Sequence, residues 1–222
     1  MGNLYVIATP LGNLGDITIR ALETLKRVDT ILCEDTRRTS NMLSAYEISK
    51  PLLSYHHHSK ESKVEQIMSL LEEGKELAMV SDAGTPGIAD PGGFLIAAIK
   101  NRFGSAVGII PIPGPSALTA VASVSGFPVD RFLFLGFPPA KNKRARFFDE
   151  VASSGYPVIL YESPHRIMKT MRDLANRDGE REAMVGREMT KKFETIYRGS
   201  VASILEELGK KKPKGEFVII LR

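Results

Sequence analysis

Four short stretches of the chain carry residue types that could bind a ligand or act on it. They are residues 9–16, 34–40, 81–93 and 111–116, and each directly follows a short apolar run. The third, SDAGTPGIADPGG, is rich in Gly and Pro and contains two aspartates. Short apolar runs of this kind indicate buried strands, and ligands of open parallel sheets bind beyond the carboxyl ends of the strands. We therefore expect the four stretches to converge on one ligand site.

The missing motifs narrow the choice of ligand. The chain contains neither G-x-x-x-x-G-K-[ST] nor G-x-G-x-x-G, which argues against a Walker phosphate loop and an ordinary dinucleotide fold. The segment DAGTPG superficially resembles a nucleoside loop, but Pro86 lacks the backbone N–H that a phosphate cradle needs. A loop of this composition without a nearby Lys suits a neutral or cationic ligand, gripped by backbone carbonyls and by shape.

The segment YHHHS raises a metal site as an alternative. In an extended chain His56 and His58 share one face, and His57 lies on the other. A metal needs more converging ligands, and no Cys or carboxylate cluster adjoins the segment, so we expect no metal.

The elements that must position these groups alternate between strands and helices. Predicted strands cover 4–8, 30–33, 52–55, 77–80 and 107–112, with helices between them, including one at 41–47. Because these strands are apolar throughout, we predict an α/β fold with a parallel sheet covered on both faces. The segment PIPGPS at 111–116 interrupts the alternation. We place a boundary there, between an N-terminal α/β domain of residues 1–113 and a C-terminal α/β domain of residues 114–222 with a mixed sheet.

Composition is that of an ordinary soluble domain of 222 residues, with 43% hydrophobic and 25% charged residues. A single cysteine, Cys33, excludes an intramolecular disulfide and a Cys-rich zinc site, and it fits a reducing, cytoplasmic setting. No apolar run approaches the length of a membrane span, and MGNLYVIATP is interpreted as a first strand rather than a signal peptide.

Charge is unevenly distributed along the chain. Residues 1–114 hold 11 basic and 13 acidic side chains, whereas residues 115–222 hold 19 and 13. The basic second half indicates either an anionic partner or a solvated face.

Four motifs in order carry a resemblance to a known family. They are TPLGNLGDITIRALETLKRVDTILCEDTRRT, SDAGTPGIADPGG, PIPGPSALTAVASVSGFPVDRFLFLGFPP and YESPHRI. The chain resembles the tetrapyrrole methylase superfamily and, more narrowly, its small-subunit rRNA (cytidine-2′-O)-methyltransferase I branch. The resemblance implies two α/β domains with S-adenosylmethionine in the cleft between them, a homodimer, and methyl transfer to a cytidine 2′-hydroxyl of small-subunit (16S) ribosomal RNA. The alternatives are a tetrapyrrole C-methyltransferase and an RNA-binding module without activity.

The resemblance also implies the cofactor contacts. Carried over by position, they are Leu14, Ala83, Gly84, Thr85, Ile88, Ser116, Ala117, Tyr161 or Glu162, Met189 and Gly215. In the porphyrin-type relatives Asp usually stands where this chain has Thr85, and Pro where it has Leu14. Many relatives continue with a small helical extension after the last strand, and the printed sequence ends at Arg222.

Asp35 is the first candidate for the general base, because the superfamily places a catalytic carboxylate at that position. A helix cap or a partner for Arg37 is the alternative role, and Glu34 is expected to point the other way along the strand. RNA-branch relatives often have His-x-His at this point of the chain, which implies a role in the cleft for His56 or His58. His56 and Arg37 complete the candidate catalytic set. The expected RNA contacts are phosphate-binding side chains. They are Arg37, Arg38, Lys141, Lys143, Arg144, Arg166, Lys191 and Lys192.

Overall fold

The computed structural model describes residues 1–56, 59 and 61–222 and divides into two compact units, Met1–Ser116 and Ala117–Arg222. The division falls at the end of PIPGPS, the segment that sequence patterning marks as a break. The domain bounds 1–113 and 114–222 themselves stay a prediction. No helix in the part of the chain that the structure describes is long and apolar enough to cross a membrane.

The first unit is a five-stranded sheet with helices on both faces. Its strands are β1 (Leu4–Ile7), β2 (Thr30–Cys33), β3 (Leu52–Ser54), β4 (Leu77–Met79) and β5 (Ile109–Ile112). Its helices are α1 (Ile19–Arg27), α2 (Thr36–Ala45), α3 (Glu61–Glu72) and α4 (Gly93–Phe103), with a 3-10 turn at Leu14–Asp16. The strand order is β3-β2-β4-β1-β5, and every pairing is parallel. The predicted parallel sheet is confirmed.

Both faces of this sheet are buried because successive strand residues enter different cores. Along β1, Leu4 joins a cluster that includes α3 and α4, whereas Tyr5 joins a cluster that includes α1. Along β2, Ile31 and Leu32 alternate in the same way. A strand apolar at every position is therefore what this architecture requires, because side chains alternate between the two faces.

The starts of α1 and α2 are set by capping side chains. Thr18 caps α1 by accepting a hydrogen bond from the Ala21 N–H. Asp35 caps α2, which begins at Thr36, well before the helix at 41–47 that the sequence indicates. A side-chain oxygen at the N-cap satisfies backbone N–H groups that the first helical turn leaves without partners.

The second unit is a mixed sheet, as predicted. Its strands are β6 (Leu133–Gly136), β7 (Val158–Glu162), β8 (Glu182–Arg187), β9 (Thr195–Ser200) and β10 (Phe217–Leu221), in the order β6-β7-β10-β8-β9. Only β6 and β7 pair in parallel among the described strands of this sheet. Its helices are α5 (Ala117–Ser125), α6 (Arg144–Ser153), α7 (Ile167–Asp178) and α8 (Val201–Gly209). Helices α6, α7 and α8 pack on one face, and α5 packs on the other.

Candidate functional site

The carboxyl ends of β1 and β4 form the centre of the site in the first unit. These strands are neighbours, yet the loop after β1 leads to α1 on one face and the loop after β4 leads to α4 on the other. The strand order reverses at this point, and such a switch point is where parallel α/β sheets open a crevice for a ligand. Stretches 9–16 and 81–93 thus follow the ends of β1 and β4, as predicted.

A short backbone bridge joins the two loops. The Thr9 N–H donates to the Gly84 carbonyl at 2.9 Å, and the Gly84 N–H donates back to the Thr9 carbonyl at 2.9 Å. Gly84 has φ +80°, and a Cβ there would lie 3.2 Å from Leu11 Cδ2. Gly84 is therefore required both by its left-handed backbone and by the close approach of the first loop.

The other two stretches are tied to the same loop after β4. Thr85 Oγ1 donates to the Pro115 carbonyl at 3.0 Å, which connects the 111–116 stretch. Arg38 Nη1 lies 3.0 Å from Asp82 Oδ2, and the Asp35 N–H lies 3.3 Å from Asp82 Oδ1, which connects the 34–40 stretch. All four stretches are therefore brought together in the first unit.

The groups around this crevice fit a cationic ligand with an apolar part. Leu14 and Ile88 expose 46% and 51% of their surface although both are large apolar residues. The Tyr46 hydroxyl donates a hydrogen bond to the Leu14 carbonyl at 2.6 Å. Carboxylates from two stretches and main-chain groups around Gly84 supply the polar surroundings. These apolar side chains and carboxylates are compatible with the neutral or cationic ligand that the composition of the loop predicts.

Asp35 serves as the cap of α2 and has a lowered pKa. Its Oδ1 accepts hydrogen bonds from the Arg37 N–H at 2.8 Å and the Arg38 N–H at 3.3 Å. These two backbone hydrogen bonds, with a smaller contribution from the Arg37 and Arg38 charges, hold the pKa of the carboxyl below its ordinary value. Because both bonds fall on Oδ1, Oδ2 is the atom of Asp35 that a substrate hydroxyl can approach. Both structural roles considered for Asp35, the helix cap and the ion pair with Arg37, are present.

Glu34 lies with the same group of carboxylates, which the sequence did not indicate. Burial, and then the charges of Asp90 and Asp82, raise the pKa of Glu34, and the Asp82 N–H donates to its carboxylate. A carboxyl that binds its proton more tightly is a stronger base once ionised. Glu34 is therefore a second candidate for the base, and sequence reasoning missed it together with Asp82 and Asp90. The two aspartates of SDAGTPGIADPGG were the only signal.

A cavity of about 470 Å³ lies within the first unit, and Asp90 is the one of these carboxylates that lines it. Its wall includes Tyr55, His56, Asp90, Gly93 and Phe94. His56 is held by Ser59, whose Oγ accepts from the His56 N–H at 2.8 Å and whose N–H donates to the His56 carbonyl at 2.8 Å. His56 thus lies on the wall of the same cavity as Asp90, and its role at the ligand site stays a prediction.

No metal centre is formed in the described part of the chain. Within residues 1–56, 59 and 61–222 no group of three or more His, Cys, Asp or Glu side chains is arranged to hold a metal ion. His58, the alternative to His56, and His57 lie outside the described residues.

The second unit groups several of the predicted cofactor contacts around the start of α5. Tyr161 Oη accepts a hydrogen bond from the Leu118 N–H at 3.1 Å, beside Ala117. The Tyr161 ring packs edge-on against Phe134 and Phe137. Ser116 ends the first unit directly before this helix. Their contact with a cofactor stays a prediction.

Met189 and Gly215 lie on either side of Glu188. Met189 packs on the glycine at 186, where a Cβ would lie 2.6 Å from its sulfur. Gly215 has φ +87°, and a Cβ there would meet the Glu188 carboxylate. Glu188 accepts from the Glu216 N–H at 2.8 Å. Although burial alone would raise the pKa of Glu188, this hydrogen bond and Lys191 hold it below its ordinary value.

Glu162 does not have the environment of a cofactor contact. It is 1% exposed, and its Oε1 accepts from the Ser163 N–H at 2.7 Å while Oε2 accepts from Thr170 Oγ1 at 2.6 Å. Arg166 pairs with Glu162 at 3.1 Å and donates to the Pro138 carbonyl at 3.0 Å. These contacts favour Tyr161 over Glu162 as the cofactor contact, which stays a prediction, and Arg166 anchors the buried carboxylate.

Arg144 is buried and makes several hydrogen bonds within the second unit. It is 7% exposed, pairs with Asp173 at 2.7 Å, and donates to Thr170 Oγ1 and the Pro139 carbonyl at 2.8 Å each. A guanidinium with its donors used in this way has a structural role, which argues against the prediction of Arg144 as an RNA contact.

The remaining predicted RNA contacts differ in exposure. Lys191 bridges Glu188 at 3.0 Å and Glu216 at 2.9 Å. Burial lowers its pKa, but these two carboxylates outweigh burial and raise it overall. The other side chains are exposed, and the Arg37 and Arg38 side chains are 91% and 69% exposed. These exposed residues are Arg37, Arg38, Lys141, Lys143 and Lys192.

Comparison with known proteins places this arrangement in a class. The family model of tetrapyrrole (corrin/porphyrin) methylases matches residues 3–205. The solved structure of uroporphyrin-III C-methyl transferase from Thermus thermophilus, complexed with S-adenyl homocysteine, has a TM-score of 0.67 at 16% identity and covers 99% of this chain and 97% of that one. Cobalt precorrin-4 methyltransferase has a TM-score of 0.68 at 18% identity, covering 98% and 94%. The two α/β units and the loops at the strand ends are thus those of a tetrapyrrole methylase.

Sequence similarity narrows the class. Ribosomal RNA small subunit methyltransferase I of Thermotoga maritima is 46% identical over 100% of this chain and 98% of its own length. The protein of the same name from Bacillus subtilis is 39% identical over 100% of this chain and 75% of its own length. The chain belongs to the ribosomal RNA small subunit methyltransferase I family.

Proposed function

We propose that the chain is an S-adenosylmethionine-dependent methyltransferase that methylates a ribose 2′-hydroxyl of a cytidine in small-subunit (16S) ribosomal RNA. The observation that carries the proposal is the 46% identity to ribosomal RNA small subunit methyltransferase I of Thermotoga maritima along the full chain. The tetrapyrrole methyltransferases are similar in fold, but at 15–18% identity they support the architecture alone. The substrate is therefore taken from the relatives in sequence.

The crevice of the first unit supplies a suitable cradle for the cofactor. Gly84 leaves room for close main-chain approach, and Leu14 and Ile88 offer exposed apolar surface. Bound S-adenosylmethionine supplies an activated methyl group on a sulfonium, which is a good leaving group. The carboxylates of Asp35 and Asp82 favour a positive charge at this edge by Coulomb attraction. In the second unit, Ala117, Tyr161, Met189 and Gly215 remain the proposed contacts.

The protein must also align the hydroxyl and remove its proton. Asp35 Oδ2 is the proposed acceptor of that proton, because Oδ1 is held by the start of α2. The N–H groups that donate to Oδ1 fix the carboxylate in one orientation. Binding of the substrate to Oδ2 therefore costs the Asp35 side chain no further rotational freedom. Arg37 and Arg38, both exposed, would hold the adjoining phosphates.

The exposed lysines of the second unit would add phosphate contacts that are independent of sequence. Lys141 and Lys143 precede α6, and Lys192 follows β8. Such contacts position RNA without reading its bases. They account for a basic second half in a chain whose first half is slightly acidic.

One experiment tests the proposal directly. Small ribosomal subunits from cells that lack this gene are incubated with the purified chain and S-adenosylmethionine, and the rRNA is digested and analysed by mass spectrometry. We expect one additional methyl group on the ribose of a cytidine. Methylation of a porphyrinogen but not of the subunits would assign the tetrapyrrole activity instead. Calorimetry that detects no binding of S-adenosylmethionine would favour an RNA-binding module.

The setting of the reaction follows from the same proposal. We infer a homodimer in the cytoplasm, where ribosomal subunits are assembled. The inference of a dimer comes from the resemblance to the superfamily, and the cytoplasm is supported by the lone, buried Cys33. Light scattering of the purified chain should give twice the mass of 24.4 kDa.

A further inference from the structure

We propose that the cavity beside Asp90 and Phe94 receives the base of the target nucleotide, turned out of its stack, and selects cytosine through Asp90. This inference rests on the proposed function, because it assigns a specificity pocket to that reaction. The cavity is formed within the first unit, between the segment that contains Tyr55 and His56 and the segment that runs into α4.

The volume of the cavity fits one nucleoside. It measures about 470 Å³, within the roughly 300–1,000 Å³ of ordinary small-molecule sites. Gly92 and Gly93 form part of the wall. A Cβ on Gly93 would meet no protein atom within 4 Å, so the backbone here leaves open space at the wall. A flat ring can therefore approach this main chain closely.

Phe94 gives the cavity a surface on which a base can stack. Its side chain is 71% exposed, although it lies in the first turn of a helix whose Leu95 and Ile99 are fully buried. Phe94 belongs to none of the hydrophobic clusters of the described residues. A ligand that stacks on this ring would account for its exposure, and single-stranded RNA is recognised by stacking of splayed bases on such rings.

Polar groups at the cavity match the edge of cytosine. Asp90 supplies a carboxylate, and a carboxylate accepts hydrogen bonds from the N4 amino group that distinguishes cytosine from uracil. Helix α4 begins after Gly92, which has no side chain to cap it, and the first N–H groups of a helix are donors for carbonyl oxygens. Tyr55 lies on the same wall, and its hydroxyl accepts a hydrogen bond from the N–H of Leu95, the third residue of this helix. An acceptor and donors thus face one cavity.

The cavity also adjoins the proposed chemistry. Asp90 is close enough to Glu34 for its charge to act on that carboxyl, and Glu34 precedes Asp35 at the end of β2. A base held beside Asp90 would therefore present its ribose toward the carboxyl ends of β2 and β4. The same loop after β4 carries Gly84 of the cofactor cradle and Asp90 of the cavity.

The first test measures methyl transfer to unmethylated small subunits by three variants. Phe94→Ala should lower kcat/KM for the subunits at least about tenfold, because loss of one stacking contact is worth that much. Phe94→Tyr should restore most of the loss. The affinity for S-adenosylmethionine and the melting temperature should stay as in the wild type. Tyr156→Ala, which removes a 46% exposed aromatic ring outside the cavity, is the matched control and should be neutral. Wild-type kcat/KM in Phe94→Ala would overturn the proposal.

The second test does not depend on turnover. Binding of a fluorescein-labelled hexauridylate is compared by anisotropy with the same RNA carrying one central cytidine. The wild type should prefer the cytidine, and Asp90→Asn should reduce the preference to near one, because an amide can donate as well as accept. Equal binding of both RNAs by the wild type would overturn the pocket. Discrimination without any methyl transfer to subunits would retain the pocket and remove the proposed function, so the two failures can be told apart.

Discussion

Arg38 Nη1 lies 3.0 Å from Asp82 Oδ2, and this ion pair joins the carboxyl end of β2 to that of β4. The other Asp82 oxygen lies 3.3 Å from the Asp35 N–H. Asp82 thus holds the start of α2 through both the backbone and a side chain. Because Asp35 caps that helix, the position of the candidate base depends on a neighbouring strand.

Replacement of Asp35 should separate its two roles. Asp35→Asn keeps an N-cap oxygen but cannot take a proton, and Asp35→Ala loses both. We expect both variants to lose at least about 100-fold in kcat, the usual contribution of a general base. Only Asp35→Ala should also melt at a lower temperature. Calorimetry should give wild-type affinity for S-adenosylmethionine in both. Wild-type turnover in Asp35→Asn would remove Asp35 from the mechanism.

The pH dependence of turnover distinguishes Asp35 from Glu34. Backbone N–H groups lower the pKa of Asp35 below its ordinary 3.8, whereas burial and the aspartates raise the pKa of Glu34 above its ordinary 4.5. A base works in its deprotonated form, so a lower pKa keeps it active at lower pH. With Asp35 as base, kcat should be flat between about pH 5 and 8. A decline on acidification with its midpoint above 4.5 would assign the role to Glu34.

Gly84→Ala should damage the cofactor cradle. It combines a left-handed φ of +80° with a Cβ 3.2 Å from Leu11 Cδ2, and strained backbone of this kind costs about 1–3 kcal/mol. Gly74→Ala is the matched control, because Gly74 has φ +83° with no atom within 4 Å of a Cβ. We expect both variants to be less stable in urea. Only Gly84→Ala should lose affinity for S-adenosylmethionine, by about tenfold or more; equal loss in both would contradict a local role.

Arg144→Ala should act on stability rather than on RNA. Arg144 is 7% exposed beside Asp173, whose side chain is 28% exposed, and loss of a hydrogen bond to a charged group costs about 1.5–3 kcal/mol. Arg146→Ala removes an exposed charge from the same helix and should change the free energy of unfolding by less than about 0.5 kcal/mol. Urea denaturation measures both. A stable Arg144→Ala variant with weakened RNA binding would instead assign Arg144 to the RNA contacts.

Binding to ribosomal RNA should weaken steeply as salt is added. Each lysine that contacts a phosphate contributes roughly 0.7–0.9 to the slope of log K against log salt. Lys192→Ala should reduce the slope by about that amount, whereas Lys169→Ala, an exposed lysine on α7 outside the proposed contacts, should not. A salt profile that is flat in the wild type would argue against the basic second half as an RNA surface.

Strand positions and the edge at which the loops meet could be predicted from sequence, because both depend on local apolar runs and on the geometry of parallel sheets. The run 30–33 is a strand with those bounds. The start of α2 was placed too late, because the capping role of Asp35 competes with its interpretation as a base. An aspartate can cap a helix, but its presence in the sequence does not show that it forms the capping hydrogen bonds.

Side-chain environment was the part that sequence could not give. Alternation along a strand placed Glu34 away from the site, but β2 ends at Cys33, so strand geometry no longer applies to Glu34. Arg144 appeared in a basic run, and its burial depends on Asp173 and Thr170 on a helix that lies far along the chain. Phe94 looked like one more apolar residue of an amphipathic helix, and only the packed structure leaves it exposed.

The two-way bridge between Thr9 and Gly84 divides the loop after β4 into a fixed half and an adaptable half. Residues up to Thr85 are fastened to neighbouring main chain, whereas the stretch from 86 to 92 borders the cavity. On the proposed assignments, changes in the outer stretch would alter the acceptor that is bound, while the cofactor cradle around Gly84 keeps its shape. This division offers a physical route by which a single scaffold came to serve both macrocycles and nucleic acid.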